Sequence, residues 1–236
     1  MANSDFGIEK VVATSYWKVH AVPIGTDGKI YTVELCTGLL DTGAFKTQDQ
    51  HAQFSKAELA QGRFGYLSAP EVRGLARTLR VNKGNPKAKG MVNEIREFLK
   101  QAHRKNFFLI TSTRAVYNPS GEDEFIHKYG LEGQYSIKEN IVGSDELIAQ
   151  TKDPSTYQAL FGTNDDIKEI DKDFGFLNET PTYIWRMNLR PQQRDERVVR
   201  LGANQVRFYV GCNGGPQLED PALGGKVFAE GDAPRN

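Results

Sequence analysis

The stretch 68–105, SAPEVRGLARTLRVNKGNPKAKGMVNEIREFLKQAHRK, predicts two consecutive amphipathic helices and decides how the rest of the chain is interpreted. Ser68 and Glu71 have the spacing of a capping box, and Pro70 suits a first helical turn because its missing N–H is not needed there. The apolar stripe of this first helix consists of Val72, Leu75, Ala76 and Leu79. The sequence therefore predicts a helix that begins near Ser68 and buries one side.

The second helix is predicted after Asn85, which can cap a helix, with Pro86 at its first position. Its apolar side is formed by Met91, Val92, Ile95, Phe98, Leu99 and Ala102. A cationic stripe lies beside the apolar stripe on both predicted helices. The basic side chains of the two stripes and of the intervening loop are Arg73, Arg77, Arg80, Lys83, Lys87, Lys89, Arg96 and Lys100. Together they predict one positive surface, although Lys and Arg also solvate the outer side of ordinary helices.

Charge is unevenly distributed along a chain whose formal net charge is zero. From Arg73 to Lys105 there are ten Lys or Arg and two Glu, whereas 121–185 holds fourteen Asp or Glu and five Lys. Such a bipolar chain is typical of proteins that bind a polyanion or that stack positive surfaces against negative ones. Two partners fit the basic stripes: an outside polyanion, or the acidic middle of the chain itself.

Both ends of the chain are predicted to form antiparallel hairpins. Residues 16–24 and 30–36 alternate in hydropathy around a Gly-Thr-Asp-Gly turn, and 197–201 and 205–210 form a second such pair. The predicted fold class is α+β, with a mainly antiparallel sheet built from the N- and C-terminal hairpins. The two basic helices are expected to pack on one side of this sheet, and the acidic segment to form an irregular lobe.

We predict a single α+β domain over 1–210, with the acidic lobe inserted at about 121–180, and an extended tail over 211–236. No apolar run reaches the ~18–20 residues that a membrane span needs, and the first residues lack a basic-then-apolar signal pattern. Cys36 and Cys212 belong to no CxxC pair. Their scarcity favours a reduced, cytoplasmic protein, although one disulfide between them stays open.

The last strands add to the predicted cationic surface. Arg186, Arg190 and Arg207 are expected on outward sides, with Tyr209 among them. Cations interleaved with an aromatic side chain are typical of proteins that bind single-stranded nucleic acid. We therefore predict a non-enzymatic nucleic-acid-binding protein, a subunit of a larger nucleoprotein assembly, in which these four side chains and the basic helices contact phosphates.

The alternative from another class is a structural or assembly protein, virion- or filament-like, whose bipolar charge joins subunits. Nucleic acid is thus the first predicted partner, other protein subunits are the second, and no membrane partner is expected. No cofactor or metal is predicted, because the chain has no phosphate-binding loop, dinucleotide fingerprint or zinc-ligand spacing.

One hexapeptide offers a candidate catalytic side chain: Leu39-Leu40-Asp41-Thr42-Gly43-Ala44. It resembles the active-site motif of retropepsin-type aspartic proteases, in which each subunit of a dimer contributes one aspartate. The segment 141–143, Ile-Val-Gly, is similar to the downstream segment that braces the active-site loop in that family. The resemblance implies that Asp41 is the catalytic base and shares a proton with its copy in a dimer. An ordinary turn at the end of a strand explains the same residues.

Overall fold

The computed structural model describes residues 7–11, 15–26, 28–105 and 107–229. These residues form an α+β fold with two sheets and five α-helices. The strands are β1 Ile8–Val11, β2 Tyr16–Pro23, β3 Ile30–Leu39, β4 Gly65–Tyr66, β5 Leu109–Tyr117, β6 Glu124–His127, β7 Tyr135–Lys138, β8 Glu146–Leu147, β9 Thr182–Trp185, β10 Asp195–Ala203, β11 Phe208–Gly214 and β12 Leu223–Ala229. The helices are α1 Gln48–Ala60, α2 Ala69–Val81, α3 Lys89–His103, α4 Ser155–Leu160 and α5 Ile167–Asn178. None of these helices is long and apolar enough to cross a membrane.

The first sheet has the strand order β1-β2-β3-β12-β4, and its neighbouring strands are antiparallel. The residues predicted as the N-terminal hairpin lie in β2 and β3, which pair antiparallel. The other neighbour of β3 is β12, in which Leu223 is the partner of Leu39. Contrary to the prediction, residues 211–229 are therefore not an extended tail: they complete β11 and supply an inner strand of a sheet. Residues 230–236 lie outside the described part.

The second sheet has the order β7-β6-β5-β10-β11-β9-β8, with β9 and β11 parallel and the other pairs antiparallel. The residues predicted as the C-terminal hairpin lie in β10 and β11, which pair antiparallel. Contrary to the prediction, the N- and C-terminal hairpins do not build one sheet, because β2 and β3 belong to the first sheet and β10 and β11 to the second. The acidic segment is more regular than predicted, because it supplies β6, β7 and β8 to this sheet together with α4 and α5.

Helix α2 lies at the centre of the fold and is buried almost all round. Its N-terminus has the predicted capping box between Ser68 and Glu71. The helix packs against β2 of the first sheet, against β5 of the second, and against α5. A Cβ atom at Gly74 would lie 2.5 Å from the Pro23 carbonyl oxygen, so only glycine allows this approach to β2.

Helix α3 begins later than predicted, at Lys89 rather than Pro86. The Asn85 carbonyl oxygen accepts from the N–H groups of Ala88 and Lys89, so the connection ends in a turn before the helix proper. The apolar side of α3 packs on the first sheet, where the Phe98 ring lies 5.2 Å from that of Trp17.

Candidate nucleic-acid interface

The arginines of α2 point at acidic side chains of α5 and of the loop before it. Arg73 Nε lies 2.8 Å from Asp173 Oδ2, and Arg73 Nη2 lies 2.6 Å from Asp165 Oδ2. Arg77 pairs with the same Asp165, and Arg80 Nε donates to Asp173 Oδ1 at 2.7 Å. The three arginines share one side of the helix, as the sequence predicts, but that side meets an acidic helix.

Arg73 is only 3% exposed, so it is not part of a solvent-facing positive surface, contrary to the prediction. Burial raises the pKa of Asp173, and the contacts with the arginines act against that rise. Helix α5 is anchored beside them, because Ile170, Phe174 and Leu177 are inaccessible to solvent. The basic side of α2 is therefore neutralised by a helix that belongs to the core.

Helix α3 is neutralised in the same way at the end of α5. Arg96 and Lys100 contact the two carboxylate oxygens of Glu179 at 2.6 and 2.7 Å. Hydrogen bonds from Lys100 and Arg96 hold the pKa of Glu179 at about 2. Among the described residues, three predicted contacts of the basic stretch are exposed and form no ion pair: Lys83, Lys87 and Lys89.

Two predicted arginines near the last strands are also engaged within the chain. Arg186 is 7% exposed, and its guanidinium donates to the Ser144 carbonyl oxygen at 2.9 Å and to Glu146 at 3.0 Å. Arg190 pairs with the buried carboxylate of Asp123. The prediction that Arg186 lies on an outward surface is thus wrong.

The side of β9 that faces the core is the opposite of the one that the sequence suggests. The sequence suggests that the side with Arg186 faces outward, but the structure buries that side. Ile184 is fully buried, whereas Tyr183 and Trp185 lie half-buried on the outer side of the second sheet. The parallel neighbour β11 has the same alternation, with Val210 inside and Tyr209 outside, opposite Tyr183. Alternation distinguishes two sides without showing which one is buried. Ile184 was the available signal, because isoleucine is more often fully buried than tyrosine or tryptophan.

Four aromatic rings and two arginines form a surface on this outer side, which we call the cation–aromatic face. Its members are Phe108, Tyr183, Trp185, Arg200, Arg207 and Tyr209. Trp185 stacks on Tyr209, with ring centroids 4.7 Å apart and planes 26° apart. Tyr183 lies 6.3 Å from Tyr209, and Phe108 lies 5.7 Å from Trp185. The rings form an unbroken row from Tyr183 to Phe108.

An arginine lies on the ring at each end of this row. The Arg207 guanidinium carbon is 4.4 Å from the centre of the Tyr183 ring, and that of Arg200 is 4.8 Å from the Phe108 ring. Arg200 is also paired with Asp220 at 2.9 Å. Arg207 forms no ion pair within the described ranges, so its charge is available to a ligand.

The chain matches no protein-family model, no curated protein and no solved structure with which it was compared. Its function must therefore be inferred from its own side chains.

Asn204 organises one end of the cation–aromatic face. Its Oδ1 accepts from the backbone N–H groups of Val206 and Arg207, at 2.8 and 2.9 Å. Its Nδ2 donates to Tyr209 Oη at 3.0 Å. One side chain therefore fixes both the turn that carries Arg207 and the ring of Tyr209.

The candidate catalytic turn is strained and borders a cleft. Asp41 and Thr42 have φ angles of 48° and 54°, which non-glycine residues rarely adopt. Asp41 forms an ion pair with Lys46 and lines a cleft of about 680 Å³. The segment 141–143, which the protease resemblance implies as a brace, is held on the second sheet, where the Gly143 N–H donates to the Met187 carbonyl oxygen.

Proposed function

We propose that this chain binds single-stranded nucleic acid on its cation–aromatic face, without catalysing a reaction. The observation that carries the proposal is the row of four rings with an arginine stacked at each end. Bases stack on aromatic side chains regardless of sequence, because every base has a π surface, and arginine binds backbone phosphates. The position of the row on a sheet favours an unpaired strand, whose bases are free to stack.

The basic helices contribute less to this binding than their charge suggests. Arg73, Arg77 and Arg80 contact carboxylates of the chain itself, and those contacts would have to open before a phosphate could replace them. The exposed Lys83 and Lys87 provide long-range attraction, which weakens as salt is added.

The same ion pairs favour the nucleic-acid proposal over assembly through bipolar charge. Stacking of subunits needs a positive and a negative surface that are both unpaired. In this chain the basic side of α2 and the acidic side of α5 are already joined, at distances of 2.6 to 2.8 Å between Arg73 or Arg80 and their partners.

The test is fluorescence anisotropy of a short labelled single strand, in DNA and RNA forms. We expect Trp185→Ala and Tyr209→Ala each to weaken binding about 5- to 150-fold, because one base–aromatic stack contributes ~1–3 kcal/mol. Arg207→Ala should lower the slope of log affinity against log salt by about 0.7, the value for one phosphate of a single strand. Tyr31→Ala, which removes a half-buried aromatic of the first sheet, is the matched control and should leave affinity unchanged.

Two results would contradict the proposal. One is affinity that survives both aromatic substitutions but is lost when Lys83, Lys87 and Lys89 are replaced together by Ala, which would place binding on the loop between the helices. The other is equal affinity for a duplex and a single strand of the same sequence, since a duplex has no free bases to stack.

A further inference from the structure

The cleft beside Asp41 lies outside the proposed interface, on the outer side of the first sheet. Its volume of about 680 Å³ is in the range of small-molecule sites. Strands β2, β3 and β12 form its floor, and the end of α1 with the following loop forms its wall. The aromatic part of the lining consists of Tyr16, Phe54, Phe64 and Phe228. The rings of Tyr16 and Phe64 meet edge to face at 5.6 Å.

Glu34 lines this cleft from the middle of β3. The residue is only 8% exposed, yet its carboxylate forms no hydrogen bond and no ion pair with any residue that the structure describes. Water, or a ligand that enters the cleft, therefore supplies the donors to this carboxylate. Its acceptor sites are therefore available to a ligand that brings donors.

The other carboxylates of the cleft already have partners. Asp41 is paired with Lys46, and Glu58 is paired with Arg63 at 2.5 Å. The lining as a whole carries three carboxylates, on Glu34, Asp41 and Glu58, and two cations, on Arg63 and Lys226. Lys46, which pairs with Asp41, balances the third carboxylate, so Glu34 is the carboxylate of the lining that has no ion-pair partner among the described residues.

Two lysines lie opposite Glu34 on the neighbouring strands, and the ammonium group of Lys226 lies 4.8 Å from the centre of the Phe228 ring. Lys18 and Lys226 are the partners of Glu34 on these strands. Lys226 Nζ donates to the Gly62 carbonyl oxygen at 2.9 Å, and Lys18 Nζ lies 3.8 Å from Glu9 Oε1. Neither forms an ion pair with Glu34.

We propose that this cleft binds a small organic cation: an amidinium, guanidinium or primary ammonium group on an aromatic or aliphatic body. The N–H groups of the cation donate to the Glu34 carboxylate, as a charge-assisted hydrogen bond. The rings of Tyr16 and Phe64 cover the apolar body and add cation–π attraction. This site is independent of the nucleic-acid interface.

The experiment uses three probes of nearly equal shape: benzamidine, benzamide and benzoate. We expect isothermal titration and NMR shift mapping on the full chain to show benzamidine binding at least about tenfold more tightly than benzamide, and benzoate not binding. N-acetylarginine amide is tested beside them and reports whether a peptide side chain is accepted as well as a free amidine. Glu34→Gln should weaken benzamidine binding at least about tenfold. Glu132→Gln, which neutralises an exposed carboxylate outside the cleft, should not change it.

Equal binding of benzamide and benzamidine, or unchanged benzamidine binding in Glu34→Gln, would overturn the proposal, as would no binding at all. If Glu34→Gln fails to fold, shift mapping on the unmodified chain decides: benzamidine-induced shifts outside Tyr16, Glu34, Phe64 and Phe228 reject the site.

Discussion

Arg73 Nε lies 2.8 Å from Asp173 Oδ2, and neither side chain reaches solvent appreciably: Arg73 is 3% exposed and Asp173 is 0% exposed. This pair joins α2, from the most basic stretch of the chain, to α5, from the most acidic one. Removing one partner of a buried ion pair leaves the other charge buried and uncompensated, which is strongly destabilising. The fold therefore depends on keeping a basic residue in α2 and an acidic residue in α5 at these positions.

Asp173→Asn is expected to lower the free energy of unfolding by about 3 kcal/mol or more, because it leaves the guanidinium of Arg73 buried with one carboxylate fewer. Urea unfolding followed by circular dichroism measures this change. Glu132→Gln, at an exposed carboxylate, is the control and should change it by less than about 0.5 kcal/mol. Similar effects of the two substitutions would show that the buried pair contributes nothing specific.

Gly74 and Gly90 make a matched pair of helical glycines. A Cβ at Gly74 would lie 2.5 Å from a backbone oxygen, whereas a Cβ at Gly90 would meet nothing within 4 Å. Gly74→Ala is therefore expected to destabilise the protein by about 1–3 kcal/mol. Gly90→Ala should stabilise it by up to about 1 kcal/mol, because alanine is the better helix former. Thermal unfolding of both variants checks the opposite signs, and a shift in the same direction would refute the close packing of α2.

Stability is expected to fall as pH decreases from about 6.5 to 4. Burial lowers the pKa of both His103 and His127 to about 4, so both are neutral in the folded protein. In the unfolded chain a histidine has a pKa of ~6.5. Below that pH it binds a proton, whereas the buried histidine of the folded protein stays neutral down to about pH 4. The stabilisation that the two neutral histidines provide is complete above pH ~6.5. It is lost as the pH falls from ~6.5 to 4, by at most about 3 kcal/mol per histidine.

His127→Gln tests this assignment. The His127 Nε2–H group donates to the Ala159 carbonyl oxygen at 3.0 Å, and Nδ1 accepts from the Thr113 hydroxyl at 3.1 Å. Glutamine offers one donor and one acceptor but does not titrate, so the slope of stability against pH between 4 and 6.5 should decrease. His20→Gln, at a half-buried ring, is the control, and an unchanged slope in His127→Gln would refute the neutral buried histidine.

Both cysteines are expected to be free and slow to react. Cys36 lies on the first sheet and Cys212 on the second, and no disulfide joins them. Burial raises the pKa of each thiol to about 12, so only ~0.01% of either is the reactive thiolate at pH 8. A chromogenic disulfide reagent should therefore titrate no thiol rapidly in the native protein and both after denaturation. Rapid native reaction of Cys36 would show that its thiol is less buried than described.

Asn204→Ala is expected to weaken single-strand binding about three- to tenfold, because it releases both the turn that carries Arg207 and the hydroxyl of Tyr209. Asn204→Asp separates these roles. Aspartate keeps the acceptor for the turn, loses the donor to Tyr209 and adds a negative charge beside Arg207, so full affinity in this variant would show that the donor to Tyr209 is dispensable. The anisotropy assay measures both variants, and full affinity in Asn204→Ala would show that this side chain does not position the interface.

Local features of the chain were predictable from sequence, because their partners lie a few residues away. The capping box of Ser68 and Glu71 and the apolar stripe of α2 depend only on helical spacing. The hairpin of β2 and β3 likewise follows from alternation around a short turn.

Features that depend on distant partners were not predictable in this way. Spacing along α2 shows that Arg73 shares a side with Arg77, but only the fold brings Asp165 and Asp173 to that side. Alternation in β9 likewise separates Tyr183 from its neighbours without showing which side is buried, since that depends on the strands beside it. The sequence-based prediction therefore had the composition of the candidate interface, cations with aromatics, and two of its members, Arg207 and Tyr209. It missed the other four members, which are Phe108, Tyr183, Trp185 and Arg200.

Strand β12 lies between β3 and β4 in the first sheet, although it is synthesised long after both of them. During synthesis, the edge of β3 that pairs with β12 has no partner until residues 223–229 have been made. Strand β4 likewise has no strand to pair with until then. An open edge is a template for pairing with other chains. The edge of β3 in the nascent chain therefore has to be shielded until β12 has been made, and the first sheet stays incomplete until then.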